Sequence, residues 1–217
     1  PKLSLIKQRI AACRVFVGTT STMQSRSNIF ALKHFDLAVI DEASQILEPN
    51  IVGLLSANLP HYTAISHDLR PQSDSLPAID KFVLIGDHKQ LPAVVQQNAA
   101  QAAVNHPQLN AIGITDCRQS LFERLIHWER SQGRTRFIGT LNRQGRMHPH
   151  IARFPNDMFY AHERLDVVPC PHQEEQQLDY NLPSQDVLDN QLKAHRLLFF
   201  AAENNENESP SDKANPA

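Results

Sequence analysis

The sequence of 217 residues has few cysteines and few glycines, and each shortage excludes a class of site. Its three cysteines, Cys13, Cys117 and Cys170, are widely spaced, and no Cys-x-x-Cys pair occurs. Neither a disulfide framework nor a thiolate zinc site is therefore indicated, and a reducing compartment is the simplest expectation. None of the seven glycines precedes a lysine, so these residues lack the phosphate-binding loop Gly-x-x-x-x-Gly-Lys-Ser/Thr.

Long apolar runs are also missing. No run approaches the roughly 20 residues needed to cross a bilayer, and the first residues do not have a signal-peptide pattern. We therefore expect no membrane partner and an intracellular location, cytoplasmic or, in a eukaryote, nuclear. Because the chain starts at Pro1 without Met and stops at Ala217 in mid-pattern, we expect it to be an internal part of a longer protein.

A strong overall charge is absent too, but the charges are unevenly distributed. The net charge of −2 excludes a generally basic nucleic-acid coat. Residues 1–160 carry 17 Lys and Arg against 12 Asp and Glu, whereas residues 161–217 carry 4 against 11. A polyanionic partner is therefore expected to bind the first three quarters of the chain.

Apolar segments with strand-like and helix-like spacing alternate along the chain. The strand-like segments are 14–18, 35–40, 81–86 and 135–141, and the helix-like segments are 3–13, 46–59 and 121–128. The second strand is apolar enough to predict burial on both faces. This alternation predicts an α/β fold, with a mainly parallel sheet and flanking helices. A polar, Gly-containing turn at 131–134 is the candidate domain boundary.

The segments between these elements are less regular. Residues 60–78 are rich in Pro, Ser, Asp and His and predict a long surface loop, and 96–106 fit either a helix or a loop. Residues 203–217 are polar throughout and predict a solvated tail.

The most informative pattern is a pair of acids, Asp41 and Glu42, directly after the second predicted strand. Open α/β sheets bind ligands at the carboxyl ends of their strands. Because adjacent strand positions point to opposite sides, one carboxylate could face a phosphate-bound Mg²⁺ and the other an attacking water. The alternative is an acidic helix N-terminus that complements the helix dipole.

Two further patterns add to this one. The third predicted strand ends in Gly86, where a glycine permits a tight exit, and Gln90 follows with an amide that can sense a terminal phosphate. An ordinary turn is the alternative there. From Arg118 to Arg153 inclusive the sequence has eight arginines and only two acids, and the planar arginine fork suits phosphates. A solvated basic face does not explain why Arg146 lies in an apolar-flanked Gly-Arg-Met-His-Pro turn.

Together these segments resemble superfamily 1 helicases, in the branch that includes the nonsense-mediated-decay RNA helicase and its bacterial relatives. Asp41-Glu42-Ala43-Ser44 resembles the DExx box, and Gly86-Asp87-His88-Lys89-Gln90-Leu91-Pro92 resembles motif III. Similar stretches occur in the same order at 18–22, 120–125, 144–149, 154–156 and 159–160. The resemblance runs from about Val15 to about Phe200.

The resemblance implies a RecA-like P-loop NTPase fold, truncated at both ends. Residues 1–133 would form part of a first motor domain, and 134–217 would begin a second. ATP and Mg²⁺ are the implied cofactors, and the implied partners are single-stranded or duplex nucleic acid, DNA or RNA, and other domains of the parent chain. The missing phosphate loop is expected to lie before Pro1 or not to exist, and the last motifs are expected after a strand at 196–201. The chain alone is therefore not expected to turn over ATP.

The resemblance also implies a role for individual residues. Asp41 would hold Mg²⁺ through water, Glu42 would activate the hydrolytic water, and Gln90 would contact the γ-phosphate. Arg146 would act as an arginine finger from the second domain. The other implied nucleotide-site residues are Gly86, Asp87 and Gln144.

Three further features of the sequence bear on the site. Thr19 and Thr20 would donate hydroxyls to the nucleic-acid backbone, or they would cap a helix after the first strand. Many relatives stack an aromatic residue on adenine immediately before the arginine finger, where this sequence has Gly145. His148 and His150 lie close together, but no third ligand has metal-site spacing, and we expect no zinc or iron there.

These features predict the central part of an ATP-dependent helicase or translocase that couples ATP hydrolysis to strand movement. The alternative from another class is a catalytically silent module that keeps the fold and binds nucleic acid or protein. A third possibility, another nucleotide hydrolase without a strand partner, is weakened by the positive balance of residues 1–160.

Overall fold

The computed structural model describes residues 3–58, 77–168, 170–174 and 185–200. They belong to two compact units, one within Pro1–Gly139 and the other within Thr140–Ala217. The assignment of the chain to parts of two motor domains, divided after residue 133, stays a prediction. No helix among the described residues is long and apolar enough to cross a membrane.

The first unit contains six α-helices and two strands among its described residues. The helices are α1 (Leu3–Ala12), α2 (Thr20–Ser25), α3 (Glu48–Leu55), α4 (Ala99–Ala102), α5 (Pro107–Ala111) and α6 (Leu121–Ser131), and the strands are β1 (Ala38–Ile40) and β2 (Phe82–Leu84). The described part of the second unit contains β3 (Arg143–Gln144), α7 (Pro149–Met158), β4 (Asp166–Val167), α8 (Pro171–Glu174) and α9 (Val187–Ala194). The mixed α/β class is therefore confirmed.

Strands β1 and β2 form a parallel pair, with Ala38 opposite Phe82 and Ile40 opposite Leu84. Backbone hydrogen bonds extend the pairing past the last strand residues, because the Ile85 N–H donates to the Ile40 carbonyl at 2.8 Å. Parallel strands end at the same edge of their sheet. The segments that follow β1 and β2 therefore leave the sheet side by side.

The second predicted strand is not buried on both faces. Val39 of β1 is 59% exposed and Val83 of β2 is 46% exposed. Among the described residues, β1 pairs with β2 alone, and a two-stranded ribbon has too few neighbours to cover both of its faces. The apolar run correctly predicted a strand, but its burial depends on packing partners that the run itself does not contain.

Three other predicted strands, at 14–18, 135–141 and 196–201, are wrong over their described residues, which have no strand hydrogen bonding. Their apolar side chains are open to solvent, with Val17 92%, Phe137 78% and Phe199 91% exposed. A strand exists only where a neighbouring segment satisfies its backbone groups. In the described part of the chain, no segment pairs with these three.

The predicted helices are confirmed, with shifted ends. The first covers Leu3–Ala12, and α3 is shorter than the predicted 46–59. Helix α6 extends to Ser131, and its start is fixed by Ser120, whose hydroxyl accepts from the Glu123 N–H at 3.1 Å. The ambiguous segment 96–106 contains the short helix α4, which begins with a capping box of Asn98 and Gln101.

The core of the first unit is small. Its buried cluster consists of Phe30, Leu54, Ala78 and Ile79, with Met23, Ile29, Phe35, Ala38 and Ala57 packed around it. Ala78 is fully buried and its N–H donates to the Ala57 carbonyl at 2.8 Å. The end of the predicted surface loop 60–78 is therefore part of the core, while residues 60–76 lie outside the described residues.

A buried ion pair joins α3 to α6. The Arg124 Nε donates to Glu48 Oε2 at 2.6 Å and its Nη2 to Oε1 at 2.5 Å, and both side chains are only 12% exposed. The Arg124 Nη1 also donates to the Ile112 carbonyl at 2.8 Å. The guanidinium therefore bonds three acceptors from two segments, which fixes α3 against α6.

In the second unit, β3 and β4 form a short parallel pair with Arg143 opposite Asp166. Asn156 of α7 strengthens this arrangement because its amide donates to the Leu165 carbonyl at 2.9 Å and accepts from the Leu165 N–H at 3.0 Å. One asparagine side chain thereby ties α7 to the residue before β4. This contact gives a structural reason for the Phe-Pro-Asn stretch at 154–156.

Candidate functional site

The two acids that follow β1 lie in a tight turn at the carboxyl end of the strand, and both are exposed. Asp41 Oδ1 accepts from the Glu42 N–H at 3.0 Å. Glu42 has a φ of 52°, in the left-handed region that non-glycine residues rarely adopt. The Ala43 N–H then donates to the Ile85 carbonyl at 2.8 Å, which returns the chain towards β2.

This geometry corrects two details of the sequence interpretation. Strand alternation cannot separate the directions of Asp41 and Glu42, because both residues lie beyond the last strand residue and Glu42 has left-handed backbone geometry. Nor do the two acids begin an α-helix, which was the alternative for this pair, because only the single 3₁₀ turn Ala43–Gln45 directly follows them. A strained backbone at an exposed acid is typical of functional sites.

Ser44 connects the acidic turn to the end of β2. Its side chain is almost buried, with 8% of the residue exposed, and its Oγ accepts from the Asp87 N–H at 3.1 Å. A Cβ on Gly86 would lie 2.8 Å from the Ser44 nitrogen and 3.1 Å from its Oγ. Glycine at position 86 is therefore required by close approach of the two segments. The sequence interpretation attributed it to a tight exit and assigned no role to Ser44.

Asp87 organises the loop that contains Gln90. Its Oδ2 accepts from Gln90 Nε2 and its Oδ1 from the Lys89 N–H, both at 3.0 Å. Hydrogen bonds thus run from Ser44 through Asp87 to the amide of Gln90. The structure brings the predicted residues Asp41, Glu42, Gly86, Asp87 and Gln90 to one edge of the parallel pair.

His88, in the middle of the same loop, packs against α6. Its ring centroid lies 6.4 Å from that of Phe122 and 6.0 Å from that of His127. Burial lowers the pKa of His88, and the positive charge of Arg130 lowers it further. The lowered pKa favours the neutral imidazole in the packing between this loop and α6.

Thr19 is the N-cap of α2. Its Oγ1 accepts from the Thr22 N–H at 3.2 Å, and its hydroxyl donates to Thr22 Oγ1 at 2.9 Å. The capping alternative is therefore confirmed for Thr19. Thr20 is the first residue of that helix, and contact of Thr19 and Thr20 with nucleic acid stays a prediction.

Arg146 lies in the second unit, exposed on a turn that Gln144 holds together. Gln144 Oε1 accepts from the Arg146 N–H at 2.9 Å and from the Met147 N–H at 2.7 Å. Gln144 Nε2 also donates to the Met147 carbonyl at 3.0 Å. The amide of Gln144 is thus used to build the turn, and its predicted contact with nucleotide stays a prediction, as does the arginine-finger role of Arg146.

One of the two neighbouring histidines, His148, caps a helix. His148 is the N-cap of α7, and its Nδ1 accepts from the His150 N–H at 3.1 Å. Partial desolvation lowers the pKa of His148, and the nearby charges of Arg196 and His150 lower it further. A neutral ring is required for this cap, because a protonated Nδ1 has no lone pair to accept with.

One trio within the described residues has the geometry of metal ligands. One ligand atom from each of His34, Asp36 and Asp80 lies within 4.8 Å of the others, and all three residues are exposed. They precede β1 and β2, at the opposite end of the strand pair from Asp41. His34 Nε2 lies 2.8 Å from Asp80 Oδ1, and the trio is separate from the predicted Mg²⁺ site.

Comparison with known proteins agrees with this class of fold. Residues 117–216 match a family model described as an AAA domain. The chain is 31% identical over 164 residues to the DNA replication ATP-dependent helicase/nuclease DNA2 of Xenopus laevis, over 72% of this chain and 12% of that protein. It is 34% identical over 104 residues to the Regulator of nonsense transcripts 1 homolog of Neurospora crassa, over 48% of this chain and 8% of that protein.

An archaeal protein is similar as well. The chain is 29% identical over 159 residues to the uncharacterized ATP-dependent helicase MJ0104 of Methanocaldococcus jannaschii, over 72% of this chain and 17% of that protein. The chain therefore spans less than a fifth of the length of these three relatives. A mixed α/β architecture with parallel strands and a match to an AAA domain fit the P-loop class of α/β proteins. Within that class, the chain belongs to the superfamily 1 helicases.

Proposed function

We propose that the chain is the central part of an ATP-dependent helicase or translocase with a RecA-like fold. Its parent protein would couple ATP hydrolysis to movement along a nucleic-acid strand. The observation that carries this proposal is the junction at the ends of β1 and β2, where Ser44 and Asp87 bring the acidic turn and the Gln90 loop to one edge. The similarity to the Xenopus laevis and Methanocaldococcus jannaschii proteins, both named as ATP-dependent helicases, supports it.

The acidic turn has the donors that a nucleotide-bound magnesium ion needs. Mg²⁺ prefers oxygen ligands and keeps several waters, and the exposed carboxylates of Asp41 and Glu42 supply such oxygens. When bound, Mg²⁺ and ATP provide a polarised terminal phosphate. Asp41 would hold the ion through water, and its carboxylate is oriented by the Glu42 N–H. Glu42 would accept a proton from the attacking water.

The remaining residues would respond to the terminal phosphate. Gln90 would contact it, and the hydrogen bond to Asp87 would transmit its loss to Ser44 and β1. Arg146 would supply positive charge where negative charge develops during transfer. Gly86, Asp87 and Gln144 would support these contacts by shaping the two loops.

The nucleic-acid partner is proposed from the charge distribution and the relatives. Residues 1–160 have the positive balance, and Thr19 and Thr20 would contact the strand backbone near α2. We propose that the protein acts inside the cell on DNA or RNA and works together with other domains of its parent chain. The 217 residues alone, which lack a Gly-Lys phosphate loop, are expected not to turn over ATP.

The test is ATP hydrolysis by the longer protein that contains this chain, with no nucleic acid, with single-stranded DNA and with single-stranded RNA of the same length. We expect one of the strands to stimulate turnover, which also identifies the substrate. Glu42→Gln is assayed beside the wild type and is expected to abolish turnover. Asp157→Asn, which also neutralises a carboxylate but in an exposed ion pair, is the matched control and is expected to leave turnover unchanged. Absence of hydrolysis with every strand would contradict the proposal and favour a catalytically silent binding module.

A further inference from the structure

The turn that contains Arg146 is held by a second segment, residues 170–173. The Met147 carbonyl accepts from Gln173 Nε2 at 2.7 Å, in addition to its bond from Gln144 Nε2 at 3.0 Å. The Gly145 carbonyl accepts from His172 Nε2 at 2.7 Å. The carbonyls of the residues immediately before and after Arg146 are therefore both fixed by side chains.

Gln173 is among the most deeply buried polar residues of the described chain, with 1% exposed. Its amide is satisfied at both ends, because its Oε1 accepts from the Cys170 N–H at 3.2 Å while its Nε2 donates to Met147. Burying an amide is unfavourable unless its hydrogen bonds are made. Since the donor and the acceptor face different partners, only one orientation of this amide satisfies both.

The close packing at Gly145 supports the same arrangement. A Cβ at position 145 would lie 3.6 Å from Cys170 Sγ, so the segment before Gln173 is in van der Waals range of the turn. Arg146 itself is exposed and begins from a backbone that Gln144 and Gln173 hold. The guanidinium of a flexible arginine reaches a developing charge reliably only if the backbone of that arginine is fixed. Misplacement of a catalytic group by about 1 Å can lower the rate about 100-fold.

We propose that Gln173 is a positioning residue for Arg146. By donating to the Met147 carbonyl, it holds the turn from which the Arg146 guanidinium extends to the nucleotide. This inference rests on the proposed function, in which Arg146 stabilises the transferred phosphate. Sequence patterns gave no indication of it, because Gln173 lies in a polar stretch without helical or strand periodicity.

The experiment uses the longer protein that contains this chain, assayed for ATP hydrolysis with the stimulating strand. Gln173→Glu replaces the donor to Met147 with an acceptor, and Gln173→Met keeps the length of the side chain but removes both hydrogen bonds without adding charge. We expect both variants to lower kcat about 10- to 100-fold with little change in KM for ATP. Gln191→Glu, the same chemical change at an exposed position of α9, is expected to leave both constants unchanged.

A double-variant cycle separates positioning from general support of the fold. In an Arg146→Ala background, Gln173→Met is expected to cause no further loss of kcat. If it lowers kcat equally in both backgrounds, or if Gln173→Met alone hydrolyses ATP at the wild-type rate, the positioning role is wrong. If Gln173→Met hydrolyses ATP at the wild-type rate but Arg146→Ala hydrolyses it slowly, the proposed function stands and only the role of Gln173 is wrong. If Arg146→Ala hydrolyses ATP at the wild-type rate, the role of Arg146 itself is wrong, and the inference about Gln173 is overturned with it.

Discussion

Gly86 approaches Ser44 so closely that a single added carbon, a Cβ at position 86, would lie 2.8 Å from the Ser44 nitrogen. The two residues belong to different loops that follow neighbouring parallel strands. The same approach allows the Asp87 N–H to reach the Ser44 hydroxyl at 3.1 Å. The acidic turn and the Gln90 loop therefore form one packed unit, and a movement of either loop must move the other.

Gly86→Ala is expected to destabilise the protein by about 1–3 kcal/mol, because the new methyl group overpacks against the backbone of Ser44. Gly53→Ala is the matched control: nothing lies within 4 Å of a Cβ at position 53, and alanine is favoured over glycine inside a helix by about 1 kcal/mol. Denaturant unfolding of both variants measures the difference. Equal stability of the two variants would show that the loops are not in close contact.

Ser44→Ala removes the hydroxyl that accepts from the partly buried Asp87 N–H. We expect a loss of about 1–3 kcal/mol in the free energy of unfolding and a lower kcat for ATP in the longer protein. Ser56→Ala, at an exposed position after α3, is expected to change neither. If Ser44→Ala retains the wild-type kcat, the Ser44–Asp87 hydrogen bond does not contribute to turnover.

Arg124→Met is expected to cost about 3–5 kcal/mol of stability, because it leaves the Glu48 carboxylate buried and unpaired. Adding Glu48→Gln to that variant should recover part of the loss, since the uncompensated charge is removed. The exposed pair of Arg153 and Asp157, with N and O atoms 3.6 Å apart, is the control, and Asp157→Asn should cost at most about 1 kcal/mol. Similar losses at the two pairs would mean that the Arg124–Glu48 pair is solvated.

The pKa of His148 is lowered in the folded protein. We therefore expect the stability of the protein to fall as the pH drops below about 6.5, the unperturbed pKa of histidine. Because the folded state favours the neutral ring, the unfolded state binds more protons as the pH falls below this value. The stabilisation that the neutral His148 ring provides is therefore complete only above about pH 6.5. His148→Asn keeps an N-cap acceptor but does not titrate. The Tm, measured by thermal unfolding from pH 7.5 to 5.5, should depend less on pH in His148→Asn than in the wild type. An equal pH dependence of Tm in the two proteins would exclude a contribution from His148.

Local patterns predicted the part of the site that lies next to continuous apolar strands. The runs before Asp41 and Gly86 gave both strand ends, and parallel pairing then brought the two loops together. Helix α6 was predictable because its apolar spacing follows a serine N-cap. The two strand ends and the start of α6 each depend on residues within a few positions of one another.

The features that sequence reasoning missed depend on contacts between distant segments. The apolar run at 135–141 has strand-like composition, but no described segment supplies its hydrogen bonds. The pairing of Glu48 with Arg124 and the burial of Gln173 against Met147 join segments that are far apart in the chain. Neither contact has a local pattern, because charge complementarity and burial are set by the packed structure.

The most direct test of the central claim compares wild type and Glu42→Gln of the longer protein, with binding of ATP and its single-turnover hydrolysis measured separately in the presence of the stimulating strand. Glutamine keeps the shape of the side chain but cannot accept a proton from water, so we expect ATP binding to be retained and hydrolysis to fall by about 100- to 10,000-fold. Hydrolysis by Glu42→Gln at the wild-type rate would contradict the account, because the acid at the end of β1 would then have no part in the reaction.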